Sequence, residues 1–188
     1  SDPIGGKASS MAILTQSGFE VPAWFVVTDG DIDNGELEKS LTSLGDGPFA
    51  VRSSALAEDG QEHSFAGQFD SFLNVPREQV ESRIQHVRKS QHSERVTSYT
   101  KNQNTPDEHG IAVIVQVMIP AKSAGVAFNA DPISGRRSVS LVSAIKGLGE
   151  DLVSGEVNSD TWRVNRSNEI ITKDIHHDSL TEAEVIEV

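Results

Sequence analysis

Arg52 closes the apolar run Phe49-Ala-Val-Arg52 and opens a stretch of small and hydroxyl residues, Ser53-Ser54-Ala-Leu-Ala-Glu-Asp59. A guanidinium delivered by a buried strand is a fixed, planar fork of donors, suited to phosphate or carboxylate. The two serines add hydroxyl donors. A second run, Ser64-Phe-Ala-Gly67-Gln-Phe-Asp-Ser71-Phe-Leu-Asn-Val75, starts on small residues, where backbone can approach an anion closely. A fixed cation, hydroxyls and accessible backbone point to phosphate chemistry. Plainer readings exist for each residue. Arg52 could pair with Glu58 or Asp59, Gly67 could be a hairpin turn, and Ser71 could be an outward-facing strand serine.

Three further groups carry chemistry. Gly5-Gly-Lys7 precedes a helical pattern, a good position for meeting phosphate. It is not a Walker A loop, because Ser1 stands where the first glycine belongs and Ala8 where Ser or Thr must follow the lysine. Its plainer reading is a loop with an exposed lysine. Gln116 interrupts the apolar run Ile111-Ala-Val-Ile-Val115. A buried amide without partners costs about 1–3 kcal/mol. Adenine offers both a donor and an acceptor to satisfy it, and the alternative is a strand glutamine facing solvent. Gly147-Leu-Gly-Glu150 with Gly155 could cradle phosphate or simply turn between strands, with Glu150 a subsidiary candidate. The six histidines lack metal-ligand spacing, and His176-His177-Asp178 reads as a polar loop.

The elements that must position these residues follow from periodicity. Ala8–Ser17 reads as a short helix stopped by Gly18, Val21–Thr28 as a strand, and Gly35–Leu44 as a helix closed by Gly45. Phe49–Arg52 and Phe65–Val75 read as strands. Pro76 opens a helix through Val80, Ile84 and Val87, extending toward Lys101. Asn102-Gln-Asn-Thr-Pro-Asp107 is a polar break, which divides the chain into lobes 1–105 and 106–188. Beyond it, Ile111–Ile119, Ser123–Phe128, Ser138–Ile145, Asp160–Val164 and Glu169–Thr172 read as one antiparallel sheet. Thr181 and Glu184 have capping-box spacing.

Composition narrows the function classes. The chain has 188 residues, of which 36% are hydrophobic, with a formal net charge of −12. A nucleic-acid binder is normally basic, so that class is disfavoured. No run approaches the ~20 apolar residues of a membrane span. The absence of cysteine excludes thiolate catalysis and cysteine zinc sites and is compatible with a cytoplasmic protein.

The chain resembles the nucleotide-binding domain of phosphoenolpyruvate synthase and pyruvate phosphate dikinase, which rifampicin phosphotransferases share. Four blocks carry the resemblance in the family's order. They are Gly5-Gly-Lys-Ala-Ser9 with Gly18-Phe-Glu-Val-Pro-Ala-Trp-Phe25; the Val51-Arg-Ser-Ser54 and Gly67–Ser71 region; Val115-Gln-Val-Met118 with Ala124-Gly-Val-Ala-Phe-Asn-Ala-Asp-Pro132; and Gly147-Leu-Gly-Glu-Asp-Leu-Val-Ser-Gly155. The implied fold is α+β, an ATP-grasp-like two-lobed nucleotide-binding domain with mixed and antiparallel sheets. The resemblance implies that Lys7 and Arg52 bind the ATP phosphates, with Arg52 also supporting transfer. It implies that Gly67 and Ser71 hold phosphate through backbone and hydroxyl, and that Gln116 lies at the adenine pocket. The implied activity passes phosphoryl from ATP to an enzyme histidine and then to pyruvate.

Departures from the family's pattern qualify this. No histidine stands in the family's phosphohistidine context, and the acidic segment that holds Mg²⁺ is not found. The stretch between Thr28 and Phe49 is shorter than usual. The chain therefore reads as a fragment, inactive alone, whose Mg²⁺ ligands, phosphohistidine domain and pyruvate domain lie elsewhere. The rival expectations are a non-catalytic ATP-binding or partner-binding module and the ATP domain of a rifampicin-type phosphotransferase.

Overall fold

The computed structural model describes residues 4–28, 32–54, 71–90, 112–150, 152 and 157–188. The chain divides into two compact units, 1–119 and 120–188. Among the described residues, no helix is long and apolar enough to cross a membrane.

In the first unit, α1 (Gly5–Gln16) is followed by β1 (Trp24–Val27), α2 (Asn34–Leu44), β2 (Phe49–Ser54) and β3 (Ser71–Val75). A short 3-10 turn (Arg77–Gln79) leads into α3 (Val80–Ser90), and β4 (Ala112–Val117) completes the unit. The strands form one sheet in the order β1-β4-β2-β3, with every pair antiparallel. Local chemistry sets the helix ends. The Asp33 carboxylate accepts from the Glu36 amide at 2.8 Å and caps α2, and Gly45 ends that helix at φ 94°. Gly18 follows α1 at φ 85°.

One face of the sheet is the core. Phe49 and Val51 of β2 and Val113 and Val115 of β4 pack with Leu37 and Leu41 of α2 and Val80, Ile84 and Val87 of α3. The α3 residues recur at four- and three-residue spacing and are fully buried. Each fully buried side chain of this kind contributes about 1.5–3 kcal/mol.

The structure departs from the sequence reading at β4. That strand was expected in the second lobe, yet it is the strand between β1 and β2 of the first unit. The reason is burial on both faces, since Ala112 to Val115 are all buried. A strand covered on both sides reads as a continuous apolar run, which carries no information about its partners. The expected boundary at 105/106 falls outside the described residues, whereas the two compact units meet at 119/120. The helix expected from Pro76 toward Lys101 is described as far as Ser90.

The second unit is a meander of β5 (Ser123–Phe128), β6 (Val139–Lys146), β7 (Asp160–Asn165) and β8 (Ile170–Asp174), followed by α4 (Glu182–Glu187). Val185 of α4 packs with Val142, Ala144, Trp162 and Val164. The expected capping box is formed at Thr181. Its hydroxyl accepts from the Glu184 amide, and the Glu184 carboxylate accepts from the Thr181 amide at 2.7 Å. These donors hold the Glu184 carboxyl below its ordinary value.

Candidate functional site

The candidate side chains on the sheet are placed by strand register. In an antiparallel pair, directly opposed residues share a face. Arg52 of β2 stands opposite Ser71 of β3 and opposite Ile114 of β4. Gln116 of β4 stands opposite Ala50 of β2 and Trp24 of β1. Residues two apart on a strand also share a face. Arg52, Ser71 and Gln116 therefore lie on one face of the sheet, and the apolar residues packed on α2 and α3 lie on the other. Arg52 and Gln116 are half-buried, and Ser71 is exposed. Arg52 and Gln116 are diagonal neighbours, a relation that puts side-chain origins about 7–8 Å apart.

Lys7 reaches the same region along a different path. Gly5 and Ala8 are the buried residues of α1, and both meet the end of β2. Ser54, at that end, is two residues beyond Arg52 and so shares its face. The Ser54 hydroxyl donates to the Ile4 carbonyl at 2.8 Å and accepts from the Ala8 amide at 3.0 Å. The Lys7 ammonium makes a long contact, 3.5 Å, with the Ser53 carbonyl. Two cations separated by 45 residues of sequence are thus brought to neighbouring positions of one strand.

Three of the five candidates, Arg52, Ser71 and Gln116, share this face, and Lys7 lies at the end of β2 against the Ser53 carbonyl. Gly67, like the possible Arg52 partners Glu58 and Asp59, lies outside the described residues. The two hydroxyls expected to donate to an anion do something else. Ser53 is buried and alternates onto the helix side of the sheet, where its Oγ meets no hydrogen-bond partner among the described residues. Ser54 is engaged with α1. Glu150 is exposed and belongs to the second unit. Gly147, at φ 78°, donates its amide to the Lys122 carbonyl at 2.9 Å, as a turn residue does.

Two structural features carry no local mark in the sequence. The docking of α1 through Ser54 joins segments far apart in sequence, and no local pattern announces it. Asp160 was read only as the start of a strand. It is fully buried and accepts four hydrogen bonds, from the amides of His176, His177 and Ser179 and from the Ser179 hydroxyl, at 2.5–2.7 Å. Burial alone would raise its pKa. The Ser179 hydroxyl and amide and the two histidine amides outweigh burial and hold the carboxyl far below its ordinary value.

No group of three or more His, Asp or Glu side chains among the described residues could hold a metal ion.

Residues 34–184 match the family described as the pyruvate phosphate dikinase AMP/ATP-binding domain. The chain belongs to this family. Arg52, Gly67, Ser71 and Gln116 fall inside the matched span, and Lys7 precedes it. Among relatives of this AMP/ATP-binding domain, the prodigiosin synthesizing transferase PigC of Serratia marcescens is 33% identical over 93% of this chain and 23% of its own length. A probable phosphoenolpyruvate synthase of Staphylothermus marinus is 40% identical over 70% of this chain and 16% of its own length. A rifampicin phosphotransferase of Streptomyces sviceus is 41% identical over 75% of this chain and 16% of its own length. The domain thus spans less than a quarter of each of these relatives.

Proposed function

We propose that the face of the first unit's sheet that carries Arg52, Ser71 and Gln116 binds ATP and supplies it to a phosphotransferase reaction. Lys7 and Arg52 neutralise the phosphates, Ser71 and Gly67 donate to them through hydroxyl and backbone, and Gln116 pairs with the adenine edge. The observation that carries this reading is the shared face of Arg52, Ser71 and Gln116, with Lys7 docked at the end of the same strand. Family membership makes AMP or ATP the ligand class. Phosphoryl transfer is largely positioning plus neutralisation of charge on the transferring group. Two cations anchored to one rigid strand provide both.

In the reaction we propose, phosphoryl passes from ATP to a histidine of the same enzyme and then to pyruvate, as in a phosphoenolpyruvate synthase. Bound ATP supplies the phosphoryl group, and this chain's residues bind and orient it. The phosphohistidine domain, the pyruvate domain and the Mg²⁺ ligands are assigned outside these 188 residues. The setting is cytoplasmic, and the partners include neither nucleic acid nor membrane. A second reading changes only the acceptor. The chain is as similar to a rifampicin phosphotransferase as to a phosphoenolpyruvate synthase, 41% against 40% identity, so an antibiotic hydroxyl competes with pyruvate as the final acceptor. A stand-alone ATP-binding module without catalysis is the reading to which failure of transfer would lead.

Titration calorimetry with ATP tests the site. Lys7→Ala and Arg52→Ala should each weaken ATP binding by roughly 1.5–3 kcal/mol, the range for hydrogen bonds to charged groups. Parent-like affinity in both variants would remove the phosphate assignment.

A further inference from the structure

We propose that Ser54 is a positioning residue that sets the Gly5-Gly-Lys7 turn, and with it the Lys7 ammonium, beside Arg52. The proposal rests on the phosphate reading above and adds to it the part that makes two distant segments into one site. The Ser54 hydroxyl lies between the Ile4 carbonyl and the Ala8 amide, donating to the carbonyl and accepting from the amide. These two groups are four residues apart, the donor and acceptor of the first turn of an α-helix. A side chain of β2 thus bridges the opening of α1 from both ends of the Gly-Gly-Lys turn.

Three observations indicate that this bridge governs where Lys7 sits. Ser54 is 1% exposed, so its hydroxyl has no water to exchange with. Gly5 adopts φ 77°, and a Cβ built there would stand 2.0 Å from the Ser54 carbonyl oxygen, so the turn lies directly on β2. Among the described residues, the rest of α1 is less deeply anchored. Gly5 and Ala8 are its buried residues, while Ile13 is 63% and Leu14 is 42% exposed. Among the described residues, the first turn is the buried part of the helix, and Ser54 bonds that turn at both ends. β2 therefore carries one cation directly and fixes the second through a hydroxyl two residues further on.

The test is a double-mutant cycle read by ATP titration of the chain. Ser54→Ala should weaken ATP binding by about tenfold, in the range for a lost hydrogen bond. If Ser54 acts through Lys7, then Ser54→Ala should cause no further loss in the Lys7→Ala background. A purely structural role predicts the opposite, with the two losses multiplying. Full multiplication, or parent-like binding by Ser54→Ala while Lys7→Ala and Arg52→Ala are impaired, overturns this proposal and leaves the phosphate reading intact. Absence of ATP binding by the parent chain overturns the phosphate reading itself, and this proposal with it. Should Ser54→Ala be unfolded by circular dichroism, Gly5→Ala carries the same cycle. It presses the turn off the Ser54 carbonyl without substituting any residue of β2, and it too should be silent once Lys7 is gone.

Discussion

Arg52 stands directly across the β2–β3 ladder from Ser71, so a guanidinium and a hydroxyl leave adjoining points of one sheet face. Directly opposed side chains start about 5 Å apart, close enough for both to contact one phosphate group. Arg52→Lys keeps the charge but loses the planar fork, and should still weaken ATP binding by about tenfold. Ser71→Ala removes one neutral donor and should cost about 1 kcal/mol of binding. Calorimetry with ATP measures both. Full affinity in Arg52→Lys would mean that the site needs a charge and not a fork.

The sequence made part of this site legible because β-strands have a period of two. Once Phe49–Ser54 and Ala112–Val117 are strands, each residue's alternation along its own strand follows, while the face that Arg52 and Gln116 share depends on the register between the strands. The pairing of the strands did not follow. β4 is separated from β2 by nearly 60 residues and is buried on both faces, so its apolar run fits any sheet interior. Helix periodicity was more informative, because Val80, Ile84 and Val87 expose a polar opposite face that fixes which side turns inward. In the second unit the four strands are sequential neighbours, and their bounds were anticipated within about two residues. What escaped were side chains acting on distant backbone. Ser54 clamps α1 across 46 to 50 positions, and Asp160 gathers amides 16 to 19 residues away. Neither residue type is unusual in a strand, so nothing local marks it.

Gln116 supplies a selectivity prediction. Its amide offers a donor and an acceptor, and the adenine and guanine edges present these in opposite arrangement. The chain should bind ATP more tightly than GTP. Gln116→Leu should reduce that preference while leaving the phosphate contacts intact. Parallel titrations with ATP and GTP decide it. Equal affinities in the parent chain, or an unchanged ratio in the variant, would take Gln116 out of the adenine contact.

The helix-covered face of the same sheet should behave independently of the ligand face. Ile84 is fully buried against β2 and β4 neighbours. Ile84→Ala should lower stability by about 2–5 kcal/mol through lost burial and the cavity left behind. At a temperature where the variant remains folded, its ATP affinity should match the parent's, because the sheet's register and outward face are unchanged. Denaturant melts and calorimetry separate the two effects. A loss of affinity larger than the loss of folded fraction would show that the two faces are coupled through the sheet.

Asp160 makes the second unit's stability depend on pH in a defined direction. Its carboxylate is buried and ionised, and it accepts the amides of His176, His177 and Ser179 and the Ser179 hydroxyl, which anchor the connection between β8 and α4. Its folded pKa lies below the ordinary value of 3.8, which approximates the unfolded chain. A depressed acid stabilises the fold fully above the unfolded value, and the contribution fades as pH falls toward the folded one. The contribution is therefore constant from neutral pH down to about pH 5 and is lost progressively below about pH 4. Asp160→Asn replaces an acceptor of four bonds with a group that can accept at one atom only, leaving buried donors unsatisfied. It should destabilise the unit by about 3 kcal/mol at pH 7. The gap between parent and variant should hold from neutral pH to about pH 5 and narrow below about pH 4, because the parent then loses what the variant never had. Urea melts at a series of pH values measure this gap. A gap that stays constant down to pH 2 would mean that the Asp160 charge is not what holds the 176–179 segment.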